Sequence, residues 1–339
     1  MSYNFGEAID MRKVLISARS VGVLAKKGLE ELVSTGEYEI LLPHPGENMD
    51  EETLIENIKE ADALILGGSP VTKRVLDASP NLKIVTKVGI GTDTIDIPEA
   101  TKQGIVIANT PSANSMSVAD MAVGLMLSVS LNITKANNSL RRGEWLPFTG
   151  HEVYAKTAGI IGVGRIGKGI ARRCRGFDMN LIGYDPYPDE SFAKETGLKY
   201  VSLEEVFKNA DILFIQTHPT PETQGLVNAE RLGMMKKSAI LINTSRGALV
   251  DSKALFEALS TGIIAGAGLD VLEVEPPVDE PLLTLDNVVC TPHLGGMTAE
   301  AAERMLSAAC KNVDDVLHGR KPEFVVNPEV YENGCLKLL

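Results

Sequence analysis

The sequence predicts an α/β chain with two doubly wound parallel sheets, and three observations lead there. Short β-rich segments alternate with helical ones over roughly the first 110 residues. The alternation begins afresh after residue 157. The second series opens on Gly159-Ile160-Ile161-Gly162-Val163-Gly164-Arg165-Ile166-Gly167, a glycine run that follows an apolar segment. Such alternation argues for parallel strands, each returned by a helix, with helices covering both faces of the sheet.

In the first series, segments 14–17, 38–42, 63–66, 83–87 and 105–108 are expected as strands, with helical patterns at 22–33, 51–58 and 98–103. In the second, strands are expected at 157–161, at 181–185 and around 212, 239, 265 and 288, with a helix at 168–177. A last helical pattern at 298–317 carries apolar residues at Met305, Leu306, Val313, Val316 and Leu317. A lone helix so far beyond the last strand must pack on something, and it is expected to return to the first domain. The organisation is then a discontinuous first domain, 1–110 with 298–339, interrupted by a second domain, 111–297. No short-period repeat or low-complexity tract is present, and the final segment 334–339 is too short to form a regulatory domain.

Composition narrows the function classes. At 339 residues, 44% hydrophobic and 23% charged, the chain has room for two domains that each bury a core. A formal charge of −12 with a pI near 5.0 disfavours binding to nucleic acid or to an anionic membrane, which both need basic fields. Cys174, Cys290, Cys310 and Cys335 include no C-x-x-C pair, so they are expected as reduced thiols of a cytoplasmic protein, and no metal-ligand set is expected. The first ten residues lack a basic region followed by an apolar core, so no secretory signal is expected. The apolar stretch 121–133 is shorter than the roughly 20 residues a membrane span needs, and Ser128, Ser130 and Asn132 interrupt it. A buried helix at a domain or subunit interface is the better reading.

The glycine run has a physical purpose. In Gly162-x-Gly164-x-x-Gly167, the first glycine permits a tight strand-to-helix turn, the second lets backbone approach a pyrophosphate, and the third lets helix and strand pack closely. The N–H groups of Arg165 and Ile166, aided by the helix dipole, can receive phosphates. Asp185 follows Gly167 by 18 positions at the end of an expected strand, close to the spacing of a carboxylate that binds the adenosine ribose. An Asp there accepts from both ribose hydroxyls and repels a 2′-phosphate, which favours NAD over NADP. The alternative is that Asp185 only starts the turn Asp185-Pro186-Tyr187-Pro188.

Three ionisable residues beyond this turn sit where strands give way to loops: Arg246, Glu275 and His293. In an open α/β sheet the carboxyl ends of strands border the ligand crevice. A cation, a carboxylate and an imidazole at that edge suit redox chemistry on a hydroxy acid. Arg246 can bind a substrate carboxylate and polarise the carbonyl. His293 can hand a proton to the carbonyl oxygen or remove it from the hydroxyl, and Glu275 favours the protonated imidazole electrostatically. Each also has an ordinary reading: Arg246 as a surface cation, Glu275 as a solvated loop acid, His293 as a satisfied strand-end histidine. Of five histidines, His293 alone is flanked by an apolar strand and two glycines.

From about residue 12 to 328 the chain resembles the D-2-hydroxyacid dehydrogenases. The likeness is carried by Val88-Gly89-Ile90-Gly91-Thr92-Asp93-Thr94-Ile95-Asp96, by Asn109-Thr110-Pro111 with Ser117-Val118-Ala119-Asp120, and by the glycine run. Three later stretches add to it: Asn243-Thr244-Ser245-Arg246-Gly247, the segment 270–276, and Thr291-Pro292-His293-Leu294-Gly295-Gly296. The resemblance implies a flavodoxin-like substrate domain and a Rossmann NAD domain, with Arg246, Glu275 and His293 as the catalytic set. It implies that Gly162, Gly164, Arg165, Ile166, Gly167, Asp185, Thr217, Thr244, Asp270 and Gly295 contact NAD, with Asp270 near the carboxamide. It also implies that Lys87 and the backbone around Val88 and Gly89 grip the substrate, and that the helix at 117–133 is buried in a homodimer.

Departures from the family pattern bear on the substrate. The phosphoglycerate dehydrogenases, the nearest branch, usually place an arginine after the third strand, where this chain has Gly67-Gly68-Ser69. A basic residue expected shortly after Trp145 is also missing, although Lys87 remains. Each charged contact to a phosphate is worth on the order of 1.5–3 kcal/mol, so two losses weaken a phosphate site. A small 2-hydroxy or 2-oxo acid such as glyoxylate or hydroxypyruvate is therefore favoured over 3-phosphoglycerate, which stays as the alternative. Ile90 replaces a frequent threonine, and His218 replaces a frequent proline beside the cofactor. Glu275 argues against the formate dehydrogenase branch. A third reading, from another class, is an NAD-sensing protein similar to the corepressors that share this fold.

Overall fold

The computed structural model describes residues 11–21 and 24–332. The amino-terminal segment and Cys335 lie outside the described residues. The chain separates into two compact units, Met1–Asn114 with Met297–Leu339, and Ser115–Gly296.

The first unit holds five strands: β1 (Arg12–Ser17), β2 (Tyr38–Leu41), β3 (Ala63–Leu66), β4 (Ile84–Lys87) and β5 (Val106–Asn109). They pair in parallel in the order β2-β1-β3-β4-β5. All four residues of Ala63–Leu66 are buried, as expected of a strand covered on both faces. Side chains alternate between two cores: Val14, Ile16 and Ile65 face one, while Leu15, Leu64 and Leu66 face the other with Leu54 and Ile58.

The long helix Ala299–Leu317 lays Leu306, Ala309, Val313 and Leu317 on the Val14 face, so it belongs to this unit's core. The amino-terminal pattern at 22–33 becomes a helix only over Lys27–Ser34, and residues 22 and 23 lie outside the described set. The short helix Lys73–Asp77 has too few turns to show a periodicity and is not anticipated by the pattern.

The second unit holds β6 (Thr157–Ile161), β7 (Asn180–Tyr184), β8 (Lys199–Tyr200), β9 (Ile212–Ile215), β10 (Ile240–Asn243), β11 (Gly266–Leu269) and β12 (Val288–Cys290). Their order is β12-β11-β10-β9-β6-β7-β8, again all parallel. Both orders are doubly wound, with the first strand of each unit at the point where the chain reverses direction across the sheet. The apolar stretch expected as a helix falls, but for its last three residues, within Ser115–Ser130. Ser115–Ser130 ends, Asn132 turns left-handed with φ of 56°, and Ile133–Arg141 continues at an angle of 64°. Asn tolerates that conformation better than most residues, which locates the break. Ala119, Ala122, Leu125 and Met126 of the first helix join the core of the sheet it covers. No single helix among the described residues is long and apolar enough to cross a membrane.

Cys174, Cys290 and Cys310 are free thiols. Burial pushes Cys174 and Cys310 up to about 12 and Cys290 up to about 11, so none of the three is held as a reactive thiolate.

Candidate active site

The glycine turn joins β6 to the helix Arg165–Gly176, and its three glycines answer three different constraints. Gly162 has φ of 92°, and a Cβ on it would lie 2.5 Å from the carbonyl oxygen of Gln216. A Cβ on Gly167 would lie 2.2 Å from the Gly162 oxygen, so helix and turn touch backbone to backbone. A Cβ on Gly164 would meet nothing within 4 Å. Gly164 is also the helix N-cap, and no side chain caps it. An open cradle at an uncapped helix N-terminus fits the pyrophosphate of a dinucleotide.

Asp185 stands directly after β7. One oxygen accepts the Val163 amide at 2.8 Å and the other the Tyr187 amide at 2.9 Å. It therefore ties the glycine turn to its own turn, and each oxygen keeps a further lone pair.

Arg246 follows β10 in a turn shaped by Asn243, which is 1% exposed. The Asn243 side chain donates to the Arg246 carbonyl at 2.9 Å and accepts from the Ser245 amide at 3.0 Å. Ser245 Oγ donates to the Thr217 carbonyl, and Gln216 Nε2 donates to Thr244 Oγ1 at 2.6 Å, which joins this turn to the end of β9. Arg246 Nη1 donates to the Ser245 carbonyl at 2.8 Å. Next comes Gly247, where a Cβ would lie 2.0 Å from the Leu272 oxygen. Only a glycine lets the Arg246 turn press on the loop that carries Glu275.

Glu275 and His293 meet. Glu275 Oε2 lies 2.7 Å from His293 Nδ1, while Oε1 accepts the Leu272 amide at 3.0 Å. Burial of Glu275 opposes ionisation, but the hydrogen bond and charge of His293, the Leu272 amide and the charge of Arg246 outweigh it. Together they hold the carboxyl below its ordinary value. His293 has φ of 54°, a left-handed conformation that costs a non-glycine residue energy and recurs at functional sites. Its amide donates to the carbonyls of Asp270 and Thr291, each at 2.9 Å.

Asp270 directly follows β11 and is 2% exposed. Its Oδ1 accepts from Thr291 Oγ1 and, at 2.8 Å, from the Leu294 amide; Oδ2 accepts the Gly295 amide at 2.7 Å. Both oxygens are thus spent on the segment around His293. The sequence names Asp270 and Gly295 but not this bond between them, because nothing in either residue type points to the other. Asn243 is missed for a similar reason, being one more residue at the end of an apolar strand.

In the first unit, Lys87 Nζ donates to the Gly67 carbonyl. The Val88 amide donates to the Leu66 carbonyl and the Gly89 amide to Thr110 Oγ1, both at 2.8 Å. Within the stretch of backbone expected to grip the substrate, the N–H groups of Val88 and Gly89 themselves are therefore engaged within the unit. The next two amides, of Ile90 and Gly91, have no partner among the described residues.

Comparison with known proteins gives a consistent result. Residues 123–295 match the model of the family described as D-isomer specific 2-hydroxyacid dehydrogenase, NAD binding domain. The chain is 42% identical over 320 residues to D-3-phosphoglycerate dehydrogenase of Methanocaldococcus jannaschii, with 93% of this chain covered; it spans 60% of that longer protein. It is also 42% identical over 287 residues to glyoxylate reductase of Korarchaeum cryptofilum, covering 82% of this chain and 86% of that one. Among solved structures, the TT0316 protein of Thermus thermophilus superposes with a TM-score of 0.83 at 34% identity, over 93% of this chain and 99% of the other.

Proposed function

Because the chain belongs to the D-isomer specific 2-hydroxyacid dehydrogenases, NAD-dependent oxidoreductases, we propose that it interconverts a small D-2-hydroxy acid and its 2-oxo acid. The observation that carries this reading is the 2.7 Å contact between Glu275 Oε2 and His293 Nδ1. With the Nδ1 proton held on the carboxylate, Nε2 is the nitrogen left to work on substrate. During reduction it gives a proton to the carbonyl oxygen, and during oxidation it takes the proton from the hydroxyl. Glu275 orients the ring and stabilises the imidazolium. Arg246 binds the substrate carboxylate through charge-assisted bonds and draws electron density from the carbonyl. The cofactor, when bound, supplies the hydride as NADH for reduction and takes it up as NAD⁺ in oxidation.

Cofactor contacts are assigned to Gly162, Gly164, Arg165, Ile166, Gly167, Asp185, Thr217 and Thr244. Asp270 and Gly295 serve by holding the His293 loop. In the first unit, the N–H groups of Ile90 and Gly91 are assigned to the substrate carboxylate in place of those of Val88 and Gly89, which already have acceptors.

The substrate is assigned to the unphosphorylated 2-oxo acids, glyoxylate among them. Several relatives bear the name glyoxylate reductase, and two of three expected phosphate-binding cations are absent. The name of the Methanocaldococcus relative favours 3-phosphoglycerate as a second reading. A homodimer is proposed on the exposed apolar side chains Leu131, Ile133, Leu140, Trp145 and Leu146, which follow closely in the chain; exposed apolar surface of this kind marks interaction sites. Initial rates on glyoxylate, hydroxypyruvate and 3-phosphohydroxypyruvate with NADH and NADPH test the assignment. Turnover of the first two with NADH is expected; a clear preference for the phosphorylated acid overturns the substrate reading.

A further inference from the structure

The first unit contains a polar group of residues that the catalytic set leaves unused. In its sheet order the chain reverses between β1 and β3, and in doubly wound sheets ligands bind beyond the carboxyl ends of the strands at that point. There β1 ends at Ser17, and β3 runs on into Gly67-Gly68-Ser69. Ser17 Oγ and Ser69 Oγ lie 2.6 Å apart in the interior, and Ser17 Oγ also accepts the Met49 amide at 3.2 Å. That bond fixes the neighbouring residue, Asn48, over the glycine pair.

The fit of Asn48 on the pair is close. Asn48 Oδ1 accepts the Gly68 amide at 3.1 Å. A Cβ on Gly67 would lie 2.5 Å from Asn48 Oδ1, and a Cβ on Gly68 would lie 2.7 Å from Asn48 Nδ2. The side chain therefore takes the volume that any larger residue at 67 or 68 would need. Only an oxygen can accept the Gly68 N–H, so the amide nitrogen turns outward. Asn48 is exposed, and its Nδ2 has no partner among the described residues. Lys87 Nζ reaches the same place from β4, on the Gly67 carbonyl. An amide donor beside Gly68 and an ammonium on the Gly67 carbonyl thus lie at adjacent glycines at the strand edge.

We propose that Asn48 is a specificity-determining residue: its side-chain amide donates to an uncharged oxygen on the distal carbon of the substrate, such as the hydroxyl of a 3-hydroxy-2-oxo acid. The inference rests on the reading of the chain as a 2-oxo acid reductase. The glycine pair and Asn48 form a matched set in which small residues admit an amide where a larger side chain would exclude it.

The test compares kcat/KM for hydroxypyruvate, which has a distal hydroxyl, with that for glyoxylate, which has none. Both are monoanions, so a change of charge at position 48 acts on the two alike and the ratio isolates the hydroxyl. Asn48→Ala, Asn48→Asp and Gly68→Ala are each expected to lower the hydroxypyruvate-to-glyoxylate ratio about tenfold, chiefly through KM for hydroxypyruvate. Asn48→Asp keeps the acceptor for the Gly68 amide but removes the donors. An unchanged ratio in that variant means Asn48 only holds the turn and overturns the inference while leaving the reductase reading intact. Failure of the unmodified chain to turn over either acid overturns the reductase reading itself.

Discussion

The amide of His293 donates to the carbonyl of Asp270 at 2.9 Å, and the carboxylate of the same Asp270 accepts the amides of Leu294 and Gly295. One residue directly after β11 therefore holds His293 and its two successors by main chain and side chain together. The left-handed φ of His293 is stable only while that hold persists. Asp270→Ala leaves the buried Gly295 N–H and the part-buried Leu294 N–H without acceptors, at about 1–3 kcal/mol for a buried group. The expected result is a clear drop in the melting temperature and a fall in kcat of at least about tenfold, measured by thermal unfolding and steady-state kinetics. A variant with wild-type kcat would remove Asp270 from the positioning of His293.

Gly247 should tolerate no side chain. Gly247→Ala drives a Cβ into the Leu272 carbonyl, and overpacking of this kind costs about 1–3 kcal/mol. Because the same contact sets the Arg246 turn against the Glu275 loop, activity is expected to fall more than stability. Parallel unfolding and activity measurements at one temperature check this; loss of stability alone would mean the contact is only structural.

Asp185→Ser removes the charge that repels a 2′-phosphate and the carboxylate oxygen that accepts the Val163 amide. KM for NADH should rise, and the NADPH-to-NADH ratio of kcat/KM should increase about tenfold or more. Fluorescence titration with both nucleotides reads the change directly. Equal weakening toward both would assign Asp185 to turn structure.

The pH dependence of stability follows from Glu275. Its folded-state pKa is depressed, so the stability it contributes is fully present above the ordinary carboxylate value and is lost as pH falls through the folded value. The stability advantage of the natural chain over Glu275→Gln should therefore be present at neutral pH and vanish in acid. Melting temperatures of both proteins across that interval test the sign; an advantage that grows on acidification would contradict it.

What was legible in the sequence, and what was not, divides along physical lines. Gly162 and Gly167 announce themselves because each is required by a backbone approach that only glycine allows, and Gly164 because its spacing between them leaves the cradle open. Arg246, Glu275 and His293 are legible only as a set, a cation, a carboxylate and an imidazole that each lie beyond an apolar strand, since each side chain taken singly has an ordinary reading. The pairing of Asp270 with the amides of Leu294 and Gly295 is not legible, since backbone donors leave no trace in residue identity. The same holds for Val88 and Gly89, whose amides are engaged by Leu66 and Thr110. At two residues, β8 is too short for a pattern, and nothing in the apolar run before Asn132 announces the second helix that follows it.

The most direct measurement is kcat/KM for glyoxylate with NADH in His293→Ala, alongside NADH binding by the same variant. General acid–base catalysis contributes roughly 10²–10⁴ in rate, so a loss in that range with NADH affinity unchanged is expected. Full activity in His293→Ala would contradict the assignment of the proton to His293 Nε2 and, with it, the mechanism proposed for this chain.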